Sequence, residues 1–137
     1  MPADPVAILA SGAASPTRAS LTTALAGNNN DLVWQAVAPG TGGNSLTIQY
    51  TITGSAPVAI TTVGAAPYTG LLITGGTTTT GQQVADAWRN SSDAVKSVAV
   101  PAIATGNDGT GAVVSLAATN LAGGTGTLPL VPVSILS

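Results

Sequence analysis

The sequence predicts a mainly β protein with a minor helical part: an antiparallel β-sandwich or sheet, one packed helix, and an extended arm at each end. Three observations carry this expectation. Apolar residues alternate with polar ones over two long stretches, Leu32, Trp34, Ala36 and Ala38 in the first and Leu46, Ile48, Tyr50 and Ile52 in the second. A period of two is what a half-buried strand requires. One segment only, from Thr80 onward, carries a helical pattern. Both ends are spaced by proline, at Pro2, Pro5 and Pro16 and again at Pro129 and Pro132, which disfavours a continuous helix or a central strand. The expected organisation is an N-terminal arm over 1–28, a β-rich core over 29–125 and a C-terminal tail over 126–137.

Taken in order, Ser20–Leu25 is expected as a helical turn or an edge strand at the end of the first arm. The turn formers Asn28-Asn29-Asn30-Asp31 mark the entry to the core. The two alternating strands then flank Pro39-Gly40-Thr41-Gly42-Gly43-Asn44, so the stretch Asn30–Thr53 is read as a hairpin. Val58–Val63 reads as a strand, Gly64–Gly70 as a loop holding Pro67 and Tyr68, and Leu71–Thr74 as a short central strand ended by Gly75-Gly76. Thr80 and Gln83 have the spacing of a capping box. Val84, Ala87 and Trp88 behind them form one apolar stripe, with Asp86 and Arg89 facing water and Asp93–Lys96 adding a further turn. Ser97–Ala104 is expected as an edge strand because of Pro101, and Ala112–Ala117 as the last strand of the core.

Composition narrows the function classes. The chain has 137 residues, one domain's worth, and 6% of them are charged, against about 25% in ordinary domains. A folded body of this mass exposes roughly 6,400 Å², so its polarity rests on Thr, Ser, Asn, Gln and backbone. Such a surface suits a subunit covered by neighbours better than a concentrated monomer. Net charge is −2 with three basic residues, too few to track a phosphate backbone, and no nucleic-acid partner is expected. No run reaches the roughly 18 apolar residues of a membrane span. Val6–Ala10 is too short for a secretory core and follows Asp4. The chain is therefore expected to be made in the cytoplasm, with no membrane partner.

The chain contains no His, Cys or Glu, which removes the commonest general base, the soft metal ligands and the thiol nucleophile. Asp86 and Asp93 flank Arg89 at helical spacing and read as surface ion pairing. Gly106-Asn107-Asp108-Gly109-Thr110-Gly111 lacks the lysine of a phosphate loop and the repeated acids of a calcium loop, and reads as a turn. Gly40–Gly43 opens no helix and so is no dinucleotide loop. No catalytic residue, metal or cofactor is expected, and the protein is read as not an enzyme. Tyr68, an aromatic in a loop, leaves sugar binding as a minor possibility.

Four motifs together resemble a recurrent pattern in small structural proteins of tailed bacteriophages. They are Asn30-Asp31-Leu32 with Trp34 and Ala36, followed by Gly40–Thr47; Thr80-Gly81 with Val84-Ala85 and Ala87; the Gly106–Gly111 loop; and Leu121-Ala122-Gly123-Gly124. The resemblance spans roughly residues 30–124, and its motifs are structural. It implies a virion component. Short length with two arms suggests a capsid decoration or cement protein on the outer shell, partnered by the major capsid protein and by copies of itself, a trimer being favoured. A tail tube or tail-tip subunit and a carbohydrate-binding or adhesive domain are the alternatives. The residues expected at the capsid or subunit interface lie in the arms: Pro5, Val6, Ile8, Leu9, Leu21 and Leu25, then Leu128, Leu130, Val131, Val133 and Ile135.

Overall fold

In a computed structural model that describes residues 15–126, the β-forming stretches sort into two sheets. The first has the order β1–β2–β6 and is antiparallel throughout, with β1 Ser20–Thr22, β2 Leu32–Ala36 and β6 Ala99–Ile103. Its central strand shows why alternation is informative. Leu32, Trp34 and Ala36 are fully buried, while Gln35 faces water. Pro101 sits opposite Trp34 on β6, and β6 pairs on one side only. A proline without an N–H is tolerated there because an edge strand leaves alternate backbone groups unpaired.

The second sheet has the order β4–β5–β3–β7, with β3 Thr47–Ile52, β4 Ala59–Val63, β5 Gly70–Gly75 and β7 Leu116–Asn120. It is mixed. β3 and β5 run parallel, Tyr50 opposite Ile73, whereas β4–β5 and β3–β7 are antiparallel. The expectation of wholly antiparallel pairing does not hold here. Residues 53–58 carry the chain from β3 past one vacant strand position to β4, a sideways step of about 10 Å at normal strand spacing. β5 then returns into the gap. Gly70 enters it against β3, where a Cβ would overlap the Thr47 carbonyl oxygen.

The stretch Asn30–Thr53 is likewise not a hairpin. β2 and β3 lie in different sheets, and a 3-10 turn over Thr41–Ser45 carries the chain between them. What joins the strands is a side-chain contact: the buried Trp34 Nε1–H donates to the Tyr50 hydroxyl at 2.9 Å. Ile48, Leu71 and Ile73 from the second sheet, and Leu32, Trp34 and Ala99 from the first, belong to one core cluster.

Helix α1, Gly81–Arg89, begins as expected. Thr80 Oγ1 accepts from Gln83 N–H and Gln83 Oε1 accepts from Thr80 N–H, closing the capping box. Val84 is buried, and Trp88 is tied to the first sheet by Nε1–H donating to Ala99 O at 2.9 Å. A short helix α2, Asp93–Lys96, follows with Ser92 as its cap. Lys96 Nζ lies 5.7 Å from the Trp88 ring centre.

Two boundaries moved. The last strand is not Ala112–Ala117 but Leu116–Asn120, because Val113 N–H is taken by Thr79 O and Ala112 bridges Thr80. Residues 15–28, assigned by the sequence to the N-terminal arm, include strand β1 and a bend over 26–28 and pack on the core. β1 pairs with β2, and Ala19, Thr23 and Leu25 are buried. Among the described residues no helix is long and apolar enough to cross a membrane.

Candidate functional site

The polar side chains that drew notice in the sequence form two internal clasps. In the first, the turn before β2 meets the Gly106–Gly111 loop. Asn30, 1% exposed, donates through Nδ2 to Ala26 O and Ala112 O. Asp31 Oδ1 accepts from Leu25 N–H and from the Thr23 hydroxyl, and Asp31 N–H donates to Asn107 Oδ1. Thr23 Oγ1 accepts in turn from Leu32 N–H. Gly111 lies so close to this turn that a Cβ would overlap the Asn28 carbonyl oxygen. Asp108 Oδ1 accepts from both the N–H and the hydroxyl of Thr110, and these bonds hold its carboxyl below the usual aspartate range.

This clasp also closes the N-terminus of α1. Gly81 N–H donates to Gly111 O, Gln82 N–H to Gly109 O and Gln83 N–H to Thr80 Oγ1. The donors that would greet an anion at a helix N-terminus already have protein partners. Among the described residues no group of three potential metal-ligating side chains comes together.

The second clasp joins the Gly40–Thr47 turn to Leu121–Gly124. Asn44 Nδ2–H donates to Gly124 O at 2.9 Å and Asn44 Oδ1 accepts from Gly124 N–H at 2.8 Å. Leu121 N–H donates to Leu46 O, and Asn120 Nδ2–H to Asn44 O. The first motif thus contributes to both clasps: its Asn30 turn meets the Gly106–Gly111 loop and the start of α1, and its Gly40–Thr47 turn meets Leu121–Gly124.

Beside the second clasp the described chain enters and leaves. Thr17 and Thr125 form an antiparallel bridge, reinforced by hydroxyl contacts from Thr17 to Gly123 O and to Thr125 Oγ1. Ser20 and Ala122 bridge next to it. The described chain therefore begins and ends at one corner.

Two grooves flank this framework. The larger, about 700 Å³, lies between β4 and α1 and includes Val58, Thr79, Gln83, Asp86 and Asn90. The other, about 550 Å³, is walled by Ala38, Leu46, Pro67, Tyr68 and Val98 and floored by Gly42 and Gly43. Its walls come from four separate segments. No single stretch announces it in the sequence, although Tyr68 in a proline-containing loop was one visible clue.

The expected interface residues fall out unevenly. Leu21 is half-buried against the core and Leu25 is buried in it. Pro5, Val6, Ile8, Leu9, Leu128, Leu130, Val131, Val133 and Ile135 lie outside the described residues. Arg89 pairs with Asp86 on the exposed face of α1. Comparison with family models, with curated proteins and with solved structures finds no match to this chain.

Proposed function

We propose that this chain is a non-enzymatic structural protein of a tailed-bacteriophage virion, a decoration or cement protein on the outer surface of the capsid. The observation that carries this reading is the pairing of Thr17 with Thr125, which brings together the two ends of the described chain, each continued in the sequence by apolar, proline-spaced residues. Two adjacent flanks suit a subunit that grips neighbouring capsid subunits. Each buried patch would contribute about 25 cal/mol per Å² of apolar surface, and the contact would be multiplied over many copies. The sparse charge and the use of the phage-like motifs as internal clasps agree with a structural role. In this reading the two sheets pack as a β-sandwich joined by Trp34 and Tyr50. The partners are the major capsid protein and further copies of the chain, most naturally in a trimer.

The test is location and occupancy. Micrographs of intact particles should place the protein on the shell, and removing both flanks should abolish occupancy. Unchanged occupancy would end this mechanism, and density on the tail would favour a tail tube or tip subunit. A second reading, glycan adhesion, is favoured by the half-buried Tyr68 at the open groove. It predicts glycan-array binding that Tyr68→Ala removes.

A further inference from the structure

Across the whole sequence, Asp108-Gly109 is the one place where an aspartate or asparagine precedes glycine. Glycine has no Cβ to shield its nitrogen, and its backbone has wide conformational freedom, so that nitrogen can reach the carbon of the preceding side-chain carboxyl. The structure adds what the sequence lacks. Asp108 is exposed to water, whereas Gly109 is buried. Gly109 has φ +78°, and a Cβ there would lie 2.8 Å from Ile103 Cδ1, so the fold requires glycine at this position. Its N–H meets no acceptor among the described residues. The Asp108 carboxyl is clamped by Thr110, whose N–H and hydroxyl both donate to Oδ1, at 3.0 and 2.7 Å.

We propose that Asp108-Gly109 is a site of spontaneous isomerisation, whose rate is set by the Thr110 clamp and whose product opens the clasp at the start of α1. The Gly109 nitrogen bonds to the side-chain carboxyl carbon of Asp108, and the amide proton and the carboxyl hydroxyl leave as water. One water then adds to the ring imide. Opening at the main-chain carbonyl leaves the chain running through the Asp108 side chain, one carbon longer, with the former main-chain carboxyl as a free carboxylate. The water gained equals the water lost, and no oxidant, reductant or cofactor enters. Ring closure needs the neutral acid, from which hydroxyl can leave. Donors to the carboxylate favour its charged form and so slow the step. The extra carbon enters a loop with no slack. Asn107 Oδ1 is fixed on Asp31 N–H, Gly109 O on Gln82 N–H at 2.9 Å and Gly111 O on Gly81 N–H at 3.1 Å. Gly111 itself abuts the Asn28 carbonyl. A loop fastened on both sides of the altered bond takes up the added length by giving up those contacts. This chemistry belongs to the isolated chain and stands apart from the virion reading.

The test is to age the full chain in H₂¹⁸O at neutral pH and physiological temperature. Trypsin releases one peptide beyond Lys96, in which Asp108 is the one acidic residue. That peptide should gain heavy oxygen with time, and electron-transfer fragmentation should place an isoaspartyl link at 108. In ¹⁵N-labelled aged protein the Gly81 and Gln82 amides should exchange with solvent deuterium faster than in fresh protein. Thr110→Val should speed isoaspartate formation by the factor by which the neutral acid increases, about tenfold for each pH unit that the Asp108 titration midpoint climbs. Asp108→Glu, which would have to close a larger ring, should form none and keep both amides protected. An aged folded chain without isoaspartate at 108, where the urea-unfolded chain forms it, would overturn the site. Equal rates in Thr110→Val and the parent would overturn the clamp. Unchanged Gly81 and Gln82 exchange in the separated isoaspartyl form would overturn the opening of the clasp.

Discussion

Trp34 and Tyr50 are the residues on which the two sheets depend. Trp34 is wholly buried and its indole N–H is paired to the Tyr50 hydroxyl, so Trp34→Ala removes both a large apolar volume and a hydrogen bond. It should cost about 3–5 kcal/mol, read by denaturant unfolding. Tyr50→Phe keeps the ring but leaves the indole donor unpaired in the core, at a cost of about 1–3 kcal/mol. Burial pushes the Tyr50 phenol well above its ordinary value, against the lowering effect of the Trp34 bond. An acid held neutral in the fold contributes stability that is intact below the unfolded value of about 10 and is lost as the pH rises through the folded one. Unfolding at rising alkaline pH should therefore show a loss of stability that Tyr50→Phe reduces. At Asp108 the sign is opposite. The Thr110 bonds lower its carboxyl pKa, so their contribution is present above the ordinary aspartate value and disappears as the pH falls through the folded one. Thr110→Val should move the Asp108 carboxyl titration upward, as followed by NMR.

At the scale of elements, the N-terminal half of α1 is fastened twice, by its own capping box and by the carbonyls of Gly109 and Gly111. Thr80→Ala should cost about 0.5–2 kcal/mol. Gly111→Ala should cost more, because a Cβ there meets the fixed Asn28 carbonyl and must displace the turn that holds Asn30 and Asp31; thermal unfolding of the two variants gives the order. How far such elements were legible depends on how local their causes are. The capping box, the inward face of β2 and the edge position of Pro101 follow from residues close in sequence, and they stand where the pattern put them. The parallel pairing of β3 with β5 does not follow from such patterns, since alternation specifies which face is buried but not the direction of the neighbour. The displaced last strand has a non-local cause too, Val113 N–H being claimed by Thr79 O across the molecule. Ala19–Leu25 looked like an arm by composition, yet Thr23 and Leu25 are held by Asp31, a contact that composition does not report.

For the whole molecule, the clasps explain why motifs that look like ligand loops in one dimension are hinges of assembly in three. Asn44 grips Gly124 and Asp31 grips Asn107. Each pair is more than 70 residues apart in the chain, so neither could be recognised until the partner was in place. The apolar groove is illegible for the same reason, with its walls drawn from distant segments. The corner at Thr17 and Thr125 has a mechanical consequence. Thr17 and Thr125 pair antiparallel beside the first and last described residues, so tension applied across those two ends would load the bridge in peeling mode, Thr17–Thr125 before Ser20–Ala122. Force would be relieved one rung at a time at the rim. The bonds from Gly40 N–H to Thr17 O and from Thr41 N–H to Gly126 O share that load with the turn between the sheets, which makes this corner a mechanical fuse ahead of the strands.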